Sequence, residues 1–437
     1  MIAKEAFQKT NLLEKFHSKG IPVRRFVDML HLMVAFFVFF SFSITAQAMT
    51  VDEAVRFALQ NNPELQSLKR EEEVARGQME KAKLPLIANP TFQSGLSTRE
   101  GEGPDATGRV TNYGVGLLQE FEIAGQRGVR IDLAGKNLSR VALIIQDKER
   151  TLTYEIKDAF ARALLARSRE ELTTTVVRLQ EELLGFTTIK FKAGDVSALE
   201  VNLAEVELGR AKKDLLSAKR ERREALLALQ GLMGIKPDAA VKVEGDISLG
   251  NIRLGDKERL KDLALQRRPD IKAASVEVEA TQKAVDLVNR LTVPNVTLGP
   301  FFSRDDRRNE VGLLFSIPIP VIDRKQAEKM EARAREEQAR IRRSGLEKTF
   351  AREFEEAYGN LLTSLDEVSI FQSEIVGKAL ENLSLLNMAF KEGKISFFDV
   401  RVAQRETVEV QFAYLDTIYR GQRALHALER VIGGNLQ

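Results

Sequence analysis

The second half of this 437-residue chain repeats the first. Phe191–Gly234 aligns with Phe390–Gly433 without a gap: FKAGDVSALEV matches FKEGKISFFDV, ALLAL matches ALHAL, and Gly234 matches Gly433. Upstream, NPEL (62–65) is matched by RPDI (268–271), and VGLL stands at 115–118 and again at 311–314. Several separate matches in one order mean that whatever one copy builds, the chain builds twice. The period is too long for a solenoid of small repeats. Each copy reads as short helix, apolar hairpin, long helix, tight turn, long helix. The copies span residues 49–235 and 257–437, with a linking segment at 236–256.

The long helices come from what is missing. Residues 126–190 and 324–391 contain no proline and little glycine, and helices that long are rare in globular domains. At about 1.5 Å per residue each would extend roughly 100 Å. In 324–391 the apolar positions Leu346, Phe350, Phe354, Ala357, Leu361, Leu365 and Val368 step by four, four and three, an eleven-residue period. In the partner helix, 197–232, Leu208, Ala211, Leu215, Ala218, Ala225, Leu229 and Leu232 form a heptad-like seam broken by Arg222. The last helix is expected over 396–432. Glutamate, lysine and arginine cover the other faces, as on helices wetted along one side.

The two turns between long helices share one chemistry. Gly194 and Gly393 can take the left-handed conformation that ends a helix. Ser197 with Glu200, and Ser396 with Asp399, then supply an N-cap and its acidic third residue. The outcome is a tight helical hairpin whose tip lies far from its other end.

Each hairpin of strands shows a period of two. Tyr113, Val115, Leu117 and Phe121 alternate with polar residues and glycine over 112–121; Val311, Leu313, Phe315 and Ile317 do so over 311–317. Their partners are 90–98 and 295–303, joined through the polar loops Arg99–Arg109 and Arg304–Glu310. Nine to eleven residues suits a tilted membrane-spanning strand. Four strands cannot close a membrane barrel, whose minimum is about eight, and lipid does not tolerate open edges. Two chains would supply eight strands and three would supply twelve. A soluble ribbon packed on its own helices is the other reading.

The N-terminus reads as an export signal over residues 1–48. Arg24 and Arg25 precede the apolar run Leu32–Phe40, and Ala46-Gln47-Ala48 is a small-x-small cleavage site. Beyond it no apolar run approaches a membrane helix in length, so any membrane part must be strands. The chain has no cysteine, which removes disulfides, thiolate metal sites and a lipidated N-terminal Cys. His426 is the one histidine left after the export segment, and a lone His on an apolar helix face reads as a packed or surface residue rather than part of a catalytic zinc or Ser-His-Asp centre. Met79, Met233, Met330 and Met388 are scattered and read as core filler rather than a soft-metal relay. A net charge of +3 offers no case for nucleic-acid binding. No catalytic residue, cofactor site or metal site is expected.

NNPEL (61–65), RRPDI (267–271), FEIAGQR (121–127) and IPIPVIDRKQA (317–327), in this order and with the tips FKAGDVS and FKEGKIS, resemble the hallmark segments of the TolC-type outer-membrane efflux proteins over essentially the whole mature chain. FEIAGQR and IPIPVIDR look most like the branch serving heavy-metal pumps of the cobalt-zinc-cadmium type. The resemblance implies a mainly α protein with a membrane β-barrel part. Three chains would share a 12-stranded barrel, four strands each, continued by a tunnel of long antiparallel helices through the periplasm. It implies passive conduction from an inner-membrane pump, of the proton-driven resistance-nodulation-division type, and a periplasmic adapter. Gly194, Asp195, Val196, Ser197, Gly393, Lys394, Ile395 and Ser396 would face the adapter. Asp195 and Glu392 are candidates for a charged gate, and Leu386, Asn387 and Met388 for a constriction. Tyr113, Val115, Leu117, Phe121, Val311, Leu313, Phe315 and Ile317 would face lipid. Without tryptophan, an aromatic girdle would draw on Tyr113, Phe121, Phe301 or Phe302. Asp238–Asp256 would lie in a girdle around the tunnel's middle. The competing reading is a periplasmic coiled-coil adapter or structural protein without a barrel.

Overall fold

A computed structural model describes residues 48–100, 109–250, 252, 254–305, 308–392 and 394–436. The export signal, apart from Ala48, and Gly393 lie outside the described residues, as does the side chain of Asn387. All elements named below belong to one compact unit, Met49–Pro237 with Val243–Gln437.

In chain order they are α1 (Val51–Asn61), α2 (Pro63–Lys83), β1 (Thr91–Glu100), β2 (Arg109–Phe121), α3 (Gln126–Ala193) and α4 (Ala198–Met233). The second copy supplies α5 (Lys257–Arg267), α6 (Pro269–Arg290), β3 (Val296–Asp305), β4 (Arg308–Ser316), α7 (Gln326–Ile370), α8 (Val376–Lys391) and α9 (Phe397–Ile432). At 68 residues α3 is a rod of about 100 Å.

The repeated tetrapeptides are elbows. Asn62 closes α1 and opens α2: its Oδ1 accepts the Leu65 N–H at 2.9 Å, and Pro63 fills the first helical turn, where no donor is needed. Its Nδ2 donates to Leu232 O at 2.8 Å and so ties the elbow to the end of α4. There Gly234, at φ +72°, ends the helix, and any Cβ would stand 2.5 Å from Asn61 O. In the second copy Arg268 replaces the asparagine. It makes no cap; it pairs with Asp270 and Glu353 and lies 5.3 Å over the Phe350 ring.

The α4 seam buries Ala204, Ala211, Ala218, Ala225, Leu229 and Met233. Alanine every seven residues lets α3 approach closely. Leu208, Leu215 and Leu232 flank that line, half-buried. The expected eleven-residue period of the second long helix is corrected. Ala332 and Ala339 are buried in the first half of α7; over 350–368 the buried residues are Phe350, Phe354, Ala357, Leu361, Ser364 and Val368, stepping four and three. Small Ser364, not Leu365, occupies the seam, and the period is seven, that of a left-handed supercoil. The helix is continuous from Gln326 to Lys391 but not uniformly wound. A π-helical turn at Phe371–Ile375 joins α7 to α8. There the Phe371 ring lies 6.2 Å from that of Tyr414, and Gln372 Nε2 donates to the Tyr414 hydroxyl at 3.0 Å.

Two cores hold the helices. One gathers Ala54, Leu152, Ile156, Phe160, Leu229 and Ile418 from α1, α3, α4 and α9. The other gathers Ala264, Ile271, Phe354, Leu361, Leu425 and Leu428 from α5, α6, α7 and α9. Helix α9 belongs to both and locks the copies together.

The strands form one antiparallel sheet in the order β1-β2-β3-β4. The central pair, β2 with β3, joins the two copies. At Gly299 any Cβ would stand 1.9 Å from Leu117 O, so only glycine permits this approach. The outer edges of β1 and β4 meet no partner strand among the described residues.

Candidate functional site

The register turns the alternation of four separate strands into one apolar face. Ser94, Val115, Phe302 and Val311 stand side by side, and on the same face Phe92 pairs with Leu117 and Pro300 with Leu313. The Tyr113 and Phe302 rings lie 6.3 Å apart on this face. Leu96 is 76%, Val311 77% and Leu313 73% exposed. Tyr113, Val115, Leu117, Phe121, Val311, Leu313 and Phe315 are exposed strand residues. Ile317 is not in the sheet, because β4 ends at Ser316. Phe301 faces the other way: a Cβ at Gly312 would stand 2.6 Å from its ring, so its ring covers that glycine. Sequence reasoning passed over Phe92, Leu96 and Leu298, although Phe92-Gln93-Ser94-Gly95-Leu96 carries the same period of two. The opposite face carries Gln93, Gly95, Gly114, Gly116, Ser303 and Gly312. An apolar face across four strands, bare of protein and flanked by two unpaired edges, is not a finished water-soluble structure.

The far ends of the long helices meet as a pair of tips. Gly194, at φ +84°, ends α3, with its N–H donating to Phe191 O at 3.0 Å and the Asp195 N–H to Lys190 O at 2.9 Å. Ser197 N–H then donates to Glu200 Oε2 at 3.1 Å. At the second tip Lys394 N–H donates to Ala389 O at 2.9 Å and Ser396 N–H to Asp399 Oδ2 at 2.9 Å, while Ser396 Oγ accepts from the Asp399 N–H at 3.3 Å. Ser396 Oγ also donates to Asp399 Oδ2 at 2.6 Å, and that bond first, with the Ser396 N–H second, holds the Asp399 carboxyl below the usual carboxylate range. Val400, Leu183 and Ala204 form a small core that also takes in Ile395 and Leu203, so the tips share one end of the bundle. Arg401 reaches across to Glu207 at 3.6 Å. Gly194, Asp195, Ser197, Lys394 and Ser396 are exposed; Val196 and Ile395, equivalent in the repeat, are half-buried. Another equivalent pair, Leu199 (62% exposed) and Phe398 (47%), leaves apolar surface on both tips that the motif reading did not single out.

Among the described side chains of the proposed constriction, Leu386, Met388 and Glu392 lie in different surroundings. Leu386 lines a groove of about 550 Å³ between α8 and α9, with Asn382, Leu385, Ala403, Thr407 and Val410. Met388, two residues on and therefore on another face, is exposed, and Glu392 pairs with Lys394 at 2.6 Å.

Ionisable groups between α3 and α9 are strongly perturbed. Burial pushes the Asp158 carboxyl up against the pull of Arg423 and Arg162. Burial, with the Glu429 charge, pushes the Tyr154 phenol up to about 12. Burial, with nearby Lys157, lowers His426 to about 4. The unfolded chain therefore binds a proton near pH 6.5 that the folded chain refuses until about pH 4. Stability from this group is full above pH 6.5 and falls by up to about 3 kcal/mol as pH drops to about 4. His426→Gln should flatten that segment of the curve, measured as the heat resistance of the folded protein between pH 7 and 4. Among the described residues no three His, Cys, Asp or Glu are grouped to hold a metal ion, and no helix is long and apolar enough to cross a membrane.

With this geometry in place, the comparisons are specific. The pattern of the family described as outer membrane efflux protein matches residues 54–235 and 260–434. The cobalt-zinc-cadmium resistance protein CzcC of Cupriavidus metallidurans is 20% identical over 390 residues, 89% of this chain and 91% of that one. The pyoverdine export outer membrane protein OpmQ of Pseudomonas aeruginosa is 23% identical over 361 residues, 77% and 73% of the two chains. Among solved structures, CusC, described in terms of transmembrane channel formation, superposes with a TM-score of 0.74 at 18% identity over 88% of this chain and 92% of its own.

Proposed function

The chain belongs to the outer membrane efflux protein family, and from that premise we propose how its parts divide the work of an outer-membrane efflux channel with a long periplasmic extension. The observation that carries the reading is the open four-stranded sheet, apolar on one face and unpaired at both edges. Three chains close it into a 12-stranded barrel. The Phe92, Val115, Phe302 and Leu313 face meets lipid, and the glycine-rich polar face lines the lumen. The twelve long helices continue the wall as a tunnel, which supports no role for the chain as a periplasmic adapter.

Conduction is passive in this reading: energy enters at an inner-membrane pump of the proton-driven type, and an adapter joins pump to tunnel. Likeness to a cobalt-zinc-cadmium resistance protein over nine-tenths of both chains supports divalent metal cations as cargo. The purified protein should run in detergent at three times its chain mass and conduct ions across a planar bilayer. A monomer without conductance defeats the proposal. A deletion strain should lose zinc, cobalt or cadmium tolerance, and unchanged tolerance removes the metal assignment.

The tips are the adapter surface. Leu199 and Phe398 are the apolar anchors, ringed by Asp195, Ser197, Lys394 and Ser396. Truncating or charging an interface anchor costs about 2 kcal/mol or more, roughly thirtyfold in affinity. The double substitution Leu199→Glu with Phe398→Glu should abolish metal tolerance while leaving bilayer conductance intact. Tolerance equal to wild type would move docking away from the tips.

A further inference from the structure

The repeat offers a template for a contact the single chain does not contain. Within the chain, the end of the first copy's hairpin meets the start of the second's. Gln126 opens α3 after left-handed Gly125, and its Oε1 accepts the Ala124 N–H at 2.8 Å. Its Nε2 donates to Asn295 Oδ1 at 3.2 Å and to Val293 O at 3.4 Å. Asn295 Nδ2 in turn donates to Glu120 Oε1 at 2.7 Å. Gln126 is fully buried by these contacts.

The second copy repeats the first half of this device after a connection four residues longer, Leu314 to Gln326 against Leu118 to Gln126. Gln326 opens α7 after left-handed Lys325, φ +62°, and its Oε1 accepts the Arg324 N–H at 2.8 Å. Gln326 is exposed, and its Nε2 reaches only to Ile322 O at 3.3 Å. The counterpart of Asn295-Val296-Thr297 is Asn89-Pro90-Thr91, at the entry to edge strand β1, and Asn89 is exposed too. Beside Gln326 the segment Ile319, Val321 and Ile322 is 69–90% exposed, and Ile87 is exposed near Asn89. Gln126 is buried and Asn295 half-buried where the copies meet, and their counterparts are bare where the chain ends its sheet.

We propose that strand β4 of one chain pairs with strand β1 of a second copy in the register of the internal β2–β3 junction, with Gln326 bonded to Asn89 of the partner subunit and Ile319–Ile322 covered by its entry segment. This rests on the oligomeric barrel above and specifies its seam. Transferring the register through VGLL (115–118 onto 311–314) and Asn295 onto Asn89 sets Val311 opposite Leu96 and Phe315 opposite Phe92 of the partner subunit. The transfer used no information about faces, yet it brings apolar residues of the exposed face together. A shift by one would set each opposite a residue of the polar face.

The absence of cysteine makes the test direct. Residues opposite each other on antiparallel strands have Cα atoms about 4.5–5.5 Å apart, within disulfide reach. Leu96→Cys with Val311→Cys, oxidised in the outer membrane, should give bands at two and three chain masses on a non-reducing gel, removed by reductant. Leu96→Cys with Leu313→Cys, two residues out of register, should stay at one chain mass, as should each single variant. The seam is overturned if the first pair does not link while the protein still runs as a trimer in detergent, or if the slipped pair links instead. A lone chain in detergent defeats the barrel itself, a separate result. Gln326→Ala should lower the heat resistance of the oligomer and leave the mass of the dissociated chain unchanged; unaltered heat resistance would take Gln326 out of the seam.

Discussion

Leu313→Arg should remove the protein from the outer membrane. Leu313 stands mid-strand on edge strand β4, 73% exposed in the single chain. A guanidinium on the lipid face near the bilayer midplane costs about 2–4 kcal/mol. A trimer carries the substitution three times, so the cost is about 6–12 kcal/mol, of the order of a domain's whole folding free energy. The measurement is the fraction of protein recovered as a heat-resistant oligomer from outer-membrane preparations, expected to fall to background. Gln93→Arg on the opposite face is the control: recovery should be unchanged, and conductance should shift toward anions as cations are repelled from the lumen. A water-soluble ribbon gives a different answer. An exposed leucine on such a ribbon tolerates arginine within about 0.5 kcal/mol, so normal recovery of Leu313→Arg would refute a lipid-facing sheet.

How far the fold can be read from residues depends on the range of the interactions that decide it. Alternation at Tyr113, Val115 and Leu117 is local and legible, because burial of one face imposes a period of two. The register is not local. It depends on Gly299 admitting Leu117 O and on the Phe301 ring covering Gly312, contacts between strands far apart in sequence. Choosing Phe302 over Phe301 for the exposed face required that register. The caps at Ser197 and Ser396 were legible for the same reason as the alternation: the donor and acceptor lie three residues apart.

The long helices show the opposite case. Their extent follows from lack of proline, yet the seam of α7 chose Ser364 over the more apolar Leu365 because a neighbouring helix, not hydrophobicity, selects the buried position. The π turn at Phe371–Ile375 contains neither proline nor glycine; it coincides with aromatic and hydrogen-bonded contacts to Tyr414, 43 residues along from Phe371. For the site, the tip glycine and serine positions were legible as capping chemistry. The apolar pair Leu199 and Phe398 was hidden among ordinary helix residues, and only exposure in the folded bundle distinguishes it.

Glu429→Ala should destabilise the helical bundle by about 3–5 kcal/mol, the usual cost of stranding one member of a buried ion pair. Glu429 is 2% exposed on α9, and its Oε2 lies 2.8 Å from Lys157 Nζ on α3. Its Oε1 accepts the Leu436 N–H at 3.2 Å, and Lys157 also donates to Asn435 Oδ1 at 3.0 Å, so the pair fastens the C-terminal tail to both copies. The Tyr154 ring lies 5.4 Å from the same ammonium. Removing Glu429 leaves that ammonium against a ring and a neutral amide, which do not replace the carboxylate. The heat resistance of the folded protein measures the loss. Replacing both partners with apolar residues of similar volume, Lys157→Met with Glu429→Leu, should recover most of it, since no charge is then left unpaired. The Tyr154 phenol reports on the site independently. Burial is the larger cause of its raised pKa and the Glu429 charge the second, so Glu429→Ala should lower it from about 12 only part of the way to an ordinary tyrosine in a spectrophotometric titration. If Glu429→Ala proves as stable as the parent, or the double variant is less stable than the single, the pair does not hold the two copies together.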